Sequence, residues 1–169
     1  MFGLLGKPTA SARTSTLVAD QVLLRPPAMD DWSSWAQLRS ESREFLQPWE
    51  PAWPRDALTQ NAFRRRLRNQ ARDRETGLAH SYFVIRREDG ALLGGVTLSE
   101  IRRGVAQAVT LGYWIGQRYA RKGYMAEAVE CVNAHVFNTL DLHRIEAACL
   151  PVNEPSRRLL EARGFRLEG

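Results

Sequence analysis

Apolar residues recur every three or four positions from residue 125 to residue 140, which predicts an amphipathic α-helix beginning near Tyr124. Its predicted apolar face comprises Met125, Ala128, Val129, Val132, Val136, Phe137 and Leu140. The same spacing predicts one helix after residue 30, with Asp30 as its N-cap, and another around residue 67. A fourth helix is predicted between Pro155, at a first helical position, and Gly164, a helix stop.

Elsewhere the pattern changes to the alternation of apolar and polar residues that is typical of β-strands. Asp89 and Gly90 form a predicted hairpin turn between two such strands. The predicted strands cover residues 22–25, the two arms of the hairpin within 81–99, residues 107–115, residues 144–150, and the start of a further strand after Gly164. A hairpin followed by a β-α-β unit predicts an α/β fold with a mixed sheet and helices on both faces.

A chain of 169 residues with 44% hydrophobic and 25% charged residues is typical of one globular domain. We expect that domain to cover residues 20–169, after a flexible lead-in over residues 1–19. No apolar run approaches the roughly 18 residues that cross a bilayer, and the lead-in lacks a signal-peptide core. The sequence therefore predicts a cytoplasmic protein without a membrane partner. Cys131 and Cys149 lack metal-ligand spacing and are expected in the core, and no metal site is predicted.

Arginine dominates the charge of the chain. The net charge is +5, and six arginines lie within residues 64–74. Such an excess favours acidic partners, such as phosphates, nucleic acid or an acidic protein surface. A solvated helix face explains the same run of charges, and the sequence leaves both interpretations open.

The stretch WIGQRYARKGYMAEAV joins a strand that ends at Ile115 to a helix that begins near Gly123. The first N–H groups of a helix have no partner within it, and the helix dipole adds partial positive charge there. Arg118, Arg121 and Lys122 add full charges, so the stretch predicts a site for a phosphate or pyrophosphate. It contains neither the Gly-x-Gly-x-x-Gly pattern of a Rossmann fold nor the Gly-Lys-Ser/Thr of a P-loop.

The longer stretch GYWIGQRYARKGYMAEAV resembles the acetyl-CoA-binding motif Gln/Arg-x-x-Gly-x-Gly/Ala of the GNAT N-acetyltransferase superfamily, with Arg118 first and Gly123 last. CLPVNEPSRRLLEARGF is similar to the family's next motif, an asparagine after a strand and then a helix ending in Gly-Phe. REFLQPWEP, LGYWIG and LHRIEA resemble the RimJ-type ribosomal-protein alanine N-acetyltransferases. The resemblance covers the chain from about residue 22 to its end. It implies the GNAT fold, with a mostly antiparallel twisted sheet.

Two features depart from the family pattern. Arg121 stands where the motif has its middle glycine, so a side chain occupies a position that normally has none. Gly169 falls inside the expected sixth strand, so we expect the last strands of the family fold to be truncated. A monomer and a homodimer formed through that edge both stay open.

The resemblance implies direct transfer of an acetyl group from acetyl-CoA to an amine within a ternary complex. Residues 112–115 of the strand, where the neighbouring strands are expected to splay, are expected to hold the pantetheine and to polarise the acetyl carbonyl with their backbone N–H groups. An ordinary, fully paired strand is the alternative. The expected cofactor contacts are Tyr113, Trp114, Ile115, Arg118, Arg121, Lys122, Gly123, Tyr124, Met125 and Asn153. For Asn153, a helix cap before Pro155 is the alternative.

Three side chains are candidates for proton transfer. Ser156 has the motif position of the proton donor to the departing thiolate, although a hydroxyl that bonds local amides is the alternative. An N-terminal amine has a pKa of roughly 8, so a modest base suffices. Glu100 is the first candidate base and Glu50 the second, and each is alternatively a surface carboxylate. Trp49 and Trp53, on either side of Glu50, either line a peptide groove or pack as a lid.

The sequence therefore predicts an acetyl-CoA-dependent N-acetyltransferase whose acceptor is the N-terminal α-amine of a protein, with a ribosomal protein favoured. The arginine-rich helix is expected to bring the enzyme to the ribosome. Two alternatives stay open, namely acetylation of a small amine and a non-catalytic CoA-binding or RNA-binding module.

Overall fold

The computed structural model describes residues 16–168 and contains one six-stranded sheet whose strands follow one another in chain order. The strands are β1 (Leu17–Val18), β2 (Val22–Arg25), β3 (His80–Arg86), β4 (Leu92–Arg102), β5 (Ala108–Ile115) and β6 (Arg144–Ala147). All neighbouring pairs from β1 to β5 are antiparallel, whereas β5 and β6 are parallel. This arrangement confirms the predicted mixed, mostly antiparallel sheet.

Residues 16–168 form five α-helices, namely α1 (Trp32–Glu41), α2 (Arg43–Leu46), α3 (Gln60–Glu75), α4 (Tyr124–Asn138) and α5 (Glu154–Ala162). Helices α1 and α3 pack on one face of the sheet and α4 and α5 on the other, as the predicted helices on both faces require. Alternate side chains of β5 enter separate cores, because successive residues of a strand point to opposite faces. Val109 and Leu111 are buried with side chains of α4 and α5, whereas Trp114 packs with Trp35 of α1 and Phe63 of α3.

The structure corrects the predicted cap at the first helix. Asp31, rather than Asp30, is the N-cap residue of α1, and its carboxylate accepts a hydrogen bond from the Ala28 N–H of the preceding 3₁₀ turn at 2.7 Å rather than from an N–H of α1. The same carboxylate forms two hydrogen bonds with the Arg25 guanidinium, at 2.8 and 2.7 Å. These bonds tie the start of α1 to the end of β2.

Four further predictions differ from the structure. Phe137 is 46% exposed, because it lies about 100° around α4 from the buried Val136. β6 ends at Ala147 rather than at residue 150, and residues 165–168 form no strand. Residues 1–15 of the predicted lead-in lie outside the described residues, whereas residues 17–18 are paired as β1 with β2, so the ordered domain begins before residue 20.

Candidate active site

The parallel pairing of β5 with β6 stops halfway along β5, and the two strands then separate. Their register runs from Ala108 opposite Arg144 to Leu111 opposite Ala147, whereas β4 stays paired with β5 as far as Ile115. Residues 112–115 of β5 therefore have no partner on the β6 side among residues 16–168. We call this opening the β5–β6 gap.

The hydrogen-bond pattern decides which backbone groups face the β5–β6 gap. The Gly116 N–H donates to the Leu93 carbonyl of β4 at 2.8 Å. This bond lies next to the pair of Ile115 with Gly94, so Ile115 and Gly94 form a non-hydrogen-bonded pair of the antiparallel ladder. Ile115 and, two residues earlier, Tyr113 therefore direct their N–H and C=O groups into the gap. Trp114, between them, directs its backbone groups at β4. Both Tyr113 and Ile115 are among the sequence-predicted cofactor contacts.

Helix α4 begins at the mouth of the gap with uncapped N–H groups. Its N-cap, Gly123, has a φ of +84° and no side-chain capping bond within residues 16–168. The first i→i−4 bond runs from the Glu127 N–H to the Gly123 carbonyl at 3.1 Å, so the N–H groups of Tyr124, Met125 and Ala126 precede the helical ladder. An anion placed there would meet those N–H groups and the positive end of the helix dipole.

Arg121 occupies the middle position of the motif in a left-handed conformation, with a φ of +60°. A side chain in this region costs about 1–2 kcal/mol, which explains why the motif has a glycine there. Arg121 and Lys122 are both exposed, and they add two full charges beside the start of α4. Compared with the family motif, this loop therefore keeps the left-handed backbone conformation at a conformational cost, and it gains the positive charge of Arg121.

The loop between β5 and α4 is fixed against α1. Gly116 approaches α1 so closely that a Cβ at this position would lie 2.4 Å from the Leu38 Cδ1. The following residue, Gln117, donates its N–H to the Oγ of the buried Ser42 at 2.9 Å. Helix α1 therefore sets the position of the cationic loop relative to the β5–β6 gap.

Arg118 is paired with a carboxylate that lies far away in the sequence. Its guanidinium forms a salt bridge with Glu41 of α1 and lies over the Tyr119 ring, 5.6 Å from the centroid. Hydrogen bonds from Gln37 and from Arg118 lower the pKa of Glu41. Because this ion pair is exposed to water, it contributes little stability, and a phosphate can exchange for the Glu41 carboxylate at low cost.

Arg86, the last residue of β3, is a further cation near the start of α4 that the sequence did not predict. Its guanidinium bonds both oxygens of Asp89, at 2.9 and 2.7 Å, and lies 3.4 Å from the Tyr124 hydroxyl. It also lies over the rings of Tyr119 and Tyr124, at 5.4 and 5.9 Å. The bonds from Arg86 lower the pKa of Asp89 to about 2. The hairpin places this cation near α4, and its sequence position gives no signal of it.

Two hydroxyl groups meet where β5 faces α5. The Tyr113 Oη lies 2.6 Å from the Ser156 Oγ, and either atom can be the donor. Burial raises the pKa of Tyr113, while the bond to Ser156 acts in the opposite direction. The Ser156 N–H donates to the Asn153 Oδ1 at 3.2 Å, so Asn153 does cap α5. The cofactor contact of Asn153 stays a prediction beside this capping role.

The two candidate bases differ in how many donors they already accept. The Glu50 oxygens accept two bonds from Arg39, at 2.8 and 2.7 Å, and one from the Trp53 indole N–H at 2.7 Å. The exposed Glu100 lies at a bulge in β4, with a φ of +50°, and its Oε2 accepts one bond from the Thr110 hydroxyl at 2.7 Å. The lone pairs of Glu100 are therefore the more available for a proton.

A cavity of about 510 Å³ opens on the α1 and α3 side of the sheet. Its lining includes Trp35, Arg39, Glu50, Trp53, Arg66 and Trp114. The Arg39 guanidinium lies between two of these rings, 4.3 Å from the Trp53 centroid and 4.8 Å from that of Trp114. Trp53 is thus part of the cavity wall, whereas the 40% exposed Trp49 is not. We call this space the aromatic cavity.

A second cavity, of about 610 Å³, lies along β6 and α5 and contains none of the sequence-predicted site residues. Within residues 16–168, no cluster of three or more histidine, cysteine, aspartate or glutamate side chains has the arrangement of a metal site. Over the same residues, no helix combines the length and the apolar character that crossing a membrane requires.

The fold and the gap define a class of enzyme, because solved structures with the same architecture are acetyltransferases. The RimJ protein of Mycobacterium smegmatis, in complex with CoA-disulfide, has a TM-score of 0.83 and 29% identity, over 88% of this chain and 71% of that one. The ribosomal-protein-S5-alanine acetyltransferase of Vibrio fischeri has a TM-score of 0.84 and 30% identity, over 92% and 85%.

Sequence comparisons agree with this class. The probable N-acetyltransferase YjcK of Bacillus subtilis is 33% identical over 148 residues, which span 88% of this chain and 82% of the relative. The [ribosomal protein uS5]-alanine N-acetyltransferase of Escherichia coli is 31% identical over 155 residues, or 90% and 79%. The acetyltransferase (GNAT) domain pattern matches residues 21–166. The chain belongs to the GNAT acetyltransferase family, which confirms the predicted fold, the enzyme class and the use of acetyl-CoA.

Proposed function

We propose that this enzyme acetylates the N-terminal α-amine of a protein, with a ribosomal protein as the favoured acceptor. The observation that carries the proposal is the aromatic cavity, which has Trp114 in its wall while the neighbouring Tyr113 and Ile115 face the β5–β6 gap. An acceptor in the cavity and a thioester in the gap would approach one segment of β5 from two sides. Relatives at 30% and 31% identity are named for acetylating an alanine of a ribosomal protein, which supports this acceptor class.

Acetyl-CoA supplies the acetyl group, and the residues around the gap fit its chemistry. The N–H groups of Tyr113 and Ile115 are available to the pantetheine and the acetyl carbonyl. The N–H groups at the start of α4, together with Arg121 and Lys122, match a pyrophosphate in charge and in hydrogen-bonding capacity. Arg118 would join them when it leaves Glu41. The remaining predicted contacts, Trp114, Gly123, Tyr124, Met125 and Asn153, belong to the same two segments or to the start of α5.

The proton transfers are assigned to Ser156 and Glu100. Ser156 lies in the first turn of α5 and donates to the departing sulfur. Glu100 takes the proton that the amine must lose before it can attack. Glu50 is assigned a different role, because its carboxylate fixes Arg39 and Trp53 in the wall of the aromatic cavity.

A competition between acceptors tests the proposal. Thiol release from acetyl-CoA is measured with peptides that begin with Ala or Ser, with the same peptides blocked at the N-terminus, and with small amines. The proposal expects turnover of the free-N-terminus peptides and none of the blocked ones. Equal or faster turnover of a small amine would transfer the acceptor role to that class. A cytoplasmic location is part of the proposal, since newly made ribosomal proteins are found there.

Arg121 offers a prediction in which affinity and stability separate. Both Arg121→Ala and Arg121→Gly remove the charge, so we expect each to weaken acetyl-CoA binding by about threefold to tenfold, measured by calorimetry. Only the glycine relieves the left-handed strain, so Arg121→Gly should be more stable to denaturant than Arg121→Ala by about 1 kcal/mol. Unchanged binding in both variants would remove Arg121 from the pyrophosphate site.

We also propose that α3 associates with ribosomal RNA. Residues 60–75 carry six arginines and two carboxylates, a net +4 of the chain's +5. Arg64, Arg68 and Arg72 form a row at four-residue spacing, about 6 Å apart along the helix axis. None of the three pairs with a carboxylate within residues 16–168. Like charges at this spacing repel one another, so a polyanion along the row would relieve the repulsion.

Replacing all three arginines of this row with glutamine should weaken binding to ribosomal subunits and lower the salt dependence of that binding by about three in log–log slope. Acetylation of a free peptide should stay unchanged. Arg65→Gln is the matched control, because Arg65 is already paired with Asp56 at 2.8 Å. A loss in the control of about one third of the loss in the triple variant would show that only the total charge matters.

A further inference from the structure

The contact between Tyr113 and Ser156 joins the strand that lines the β5–β6 gap to the helix that carries the proposed proton donor. The Tyr113 Oη lies 2.6 Å from the Ser156 Oγ, a short distance for two neutral hydroxyls. It also lies 3.4 Å from the Ser156 carbonyl, so the phenol faces the first turn of α5 from one side. Tyr113 itself belongs to the segment of β5 that directs its backbone groups into the gap.

A serine hydroxyl alone is a poor source of a proton for a thiolate. A thiol has an ordinary pKa of about 8.5, and a tyrosine has one of about 10, so a phenol is the better-matched acid. General acids are most effective when their pKa lies near the operating pH, and the pKa of a phenol is far closer to it than that of an aliphatic hydroxyl. The short contact therefore links the Ser156 hydroxyl, a poor acid in the position that the motif assigns to the proton donor, to the Tyr113 phenol, a better acid.

We propose that Tyr113 is a positioning residue that orients the Ser156 hydroxyl toward the gap and replaces the proton that Ser156 gives up. The proposal rests on the proposed role of Ser156 as the donor. As the amine nitrogen forms its bond to the acetyl carbon and the carbon–sulfur bond breaks, Ser156 Oγ passes its proton to the sulfur. Tyr113 Oη then passes its own proton to Ser156 Oγ, and water returns a proton to Tyr113. Glu100 passes two protons to water in turn, one that the ammonium loses before it attacks and one that the nitrogen loses as the amide forms. The second offsets the proton that water returns to Tyr113, so the charges balance.

Burial supports this role, because it keeps Tyr113 protonated in the resting enzyme. The half-buried phenol has its pKa raised above the ordinary value, so the neutral, proton-bearing form persists throughout the physiological pH range. Tyr82 provides a comparison within the same core. Its pKa is also raised by burial, but its ring faces His135 of α4 rather than α5.

The test begins with Tyr113→Phe, which keeps the ring and removes the hydroxyl. We expect kcat to fall by about tenfold. This is less than the roughly 10²–10⁴-fold loss that follows removal of a group that transfers the proton to the reacting atom itself. The calorimetric Kd for acetyl-CoA should stay unchanged, because the backbone of residue 113 is retained. Tyr82→Phe is the control and should leave both quantities unchanged. An unchanged kcat in Tyr113→Phe, or a loss of binding equal to the loss of rate, would overturn the proposal.

A second measurement needs neither cofactor nor acceptor. Tyrosines labelled with ¹³C at Cζ report their titration by NMR in the free enzyme. The hydrogen bond between the two hydroxyls lowers the pKa of Tyr113, so Ser156→Ala should move the Tyr113 titration to higher pH while Tyr82 stays in place. If the pKa of Tyr113 were the same in Ser156→Ala as in the wild type, the two hydroxyls would not be coupled. Both measurements use any amine that the wild type accepts, or none, so they are independent of the protein-acceptor proposal.

Discussion

Glu100→Gln is expected to lower kcat/KM for a peptide acceptor at pH 7 by about 10²-fold, the effect of losing a general base. The α-amine of a peptide has an ordinary pKa near 8, so it is mostly protonated at pH 7 and must lose a proton before it attacks. Glu100 is exposed at the β4 bulge and accepts one hydrogen bond, from Thr110. At pH 9 the amine deprotonates without help, so the loss in Glu100→Gln should shrink.

Glu50→Gln is the matched control, because it removes a carboxylate from the same face of the sheet. Its two oxygens accept three N–H bonds from Arg39 and Trp53, so a proton reaches them only by breaking that network. We expect a higher KM for the peptide, since the wall of the aromatic cavity loosens, with the same loss at pH 7 and at pH 9. Steady-state rates at the two pH values separate these outcomes. A loss in Glu50→Gln that disappears at pH 9, with none in Glu100→Gln, would make Glu50 the base.

The elements that could be predicted from the sequence are those whose burial follows a local period. Helix α4 begins at Tyr124 as its apolar spacing predicts, and β5 ends at Ile115 as its alternation predicts. The hydrophobic pattern does not locate the point where β5 and β6 stop pairing, whereas the family resemblance does, because it implies that the strands splay at residues 112–115. The pattern also could not distinguish Asp30 from Asp31 as the capping carboxylate, because adjacent aspartates have the same propensity.

The anion site could be predicted because its donors are consecutive in the chain, from Arg118 to Gly123. The groups that modify this site come from distant elements and leave no local signal. Glu41, which pairs with Arg118, lies 77 residues away. Ser156 lies 43 residues from Tyr113, and the motif around Tyr113 predicts only a cofactor contact for that tyrosine. The sequence thus identifies the residue types that the chemistry needs. The contacts that change their charge and hydrogen bonding, such as Glu41 with Arg118 and Ser156 with Tyr113, are visible only in the folded structure.

Phe63→Ala is expected to lower the free energy of unfolding by about 3–5 kcal/mol, the usual cost of removing a fully buried aromatic side chain. Phe63 is fully buried and is the one buried residue of α3. Its ring lies 4.8 Å from Trp35 of α1 and 6.4 Å from Phe83 of β3, measured between centroids. It therefore connects two helices to the sheet beneath the aromatic cavity. A loss of this size is a large part of the roughly 5–15 kcal/mol that stabilises a typical domain.

Denaturant unfolding measures the change, and Phe137→Ala is the control because it removes the same side chain from a 46% exposed position on α4. The control should lose less than about 1 kcal/mol. Because Trp35 lines the aromatic cavity and packs on Phe63, the Phe63→Ala variant should also show a higher KM for peptide acceptors. Its affinity for acetyl-CoA should persist while the variant is folded, since the β5–β6 gap belongs to the other core. If acetyl-CoA binding weakened as much as peptide binding, the two faces of the sheet would be coupled, and the separate assignment of cavity and gap would be wrong.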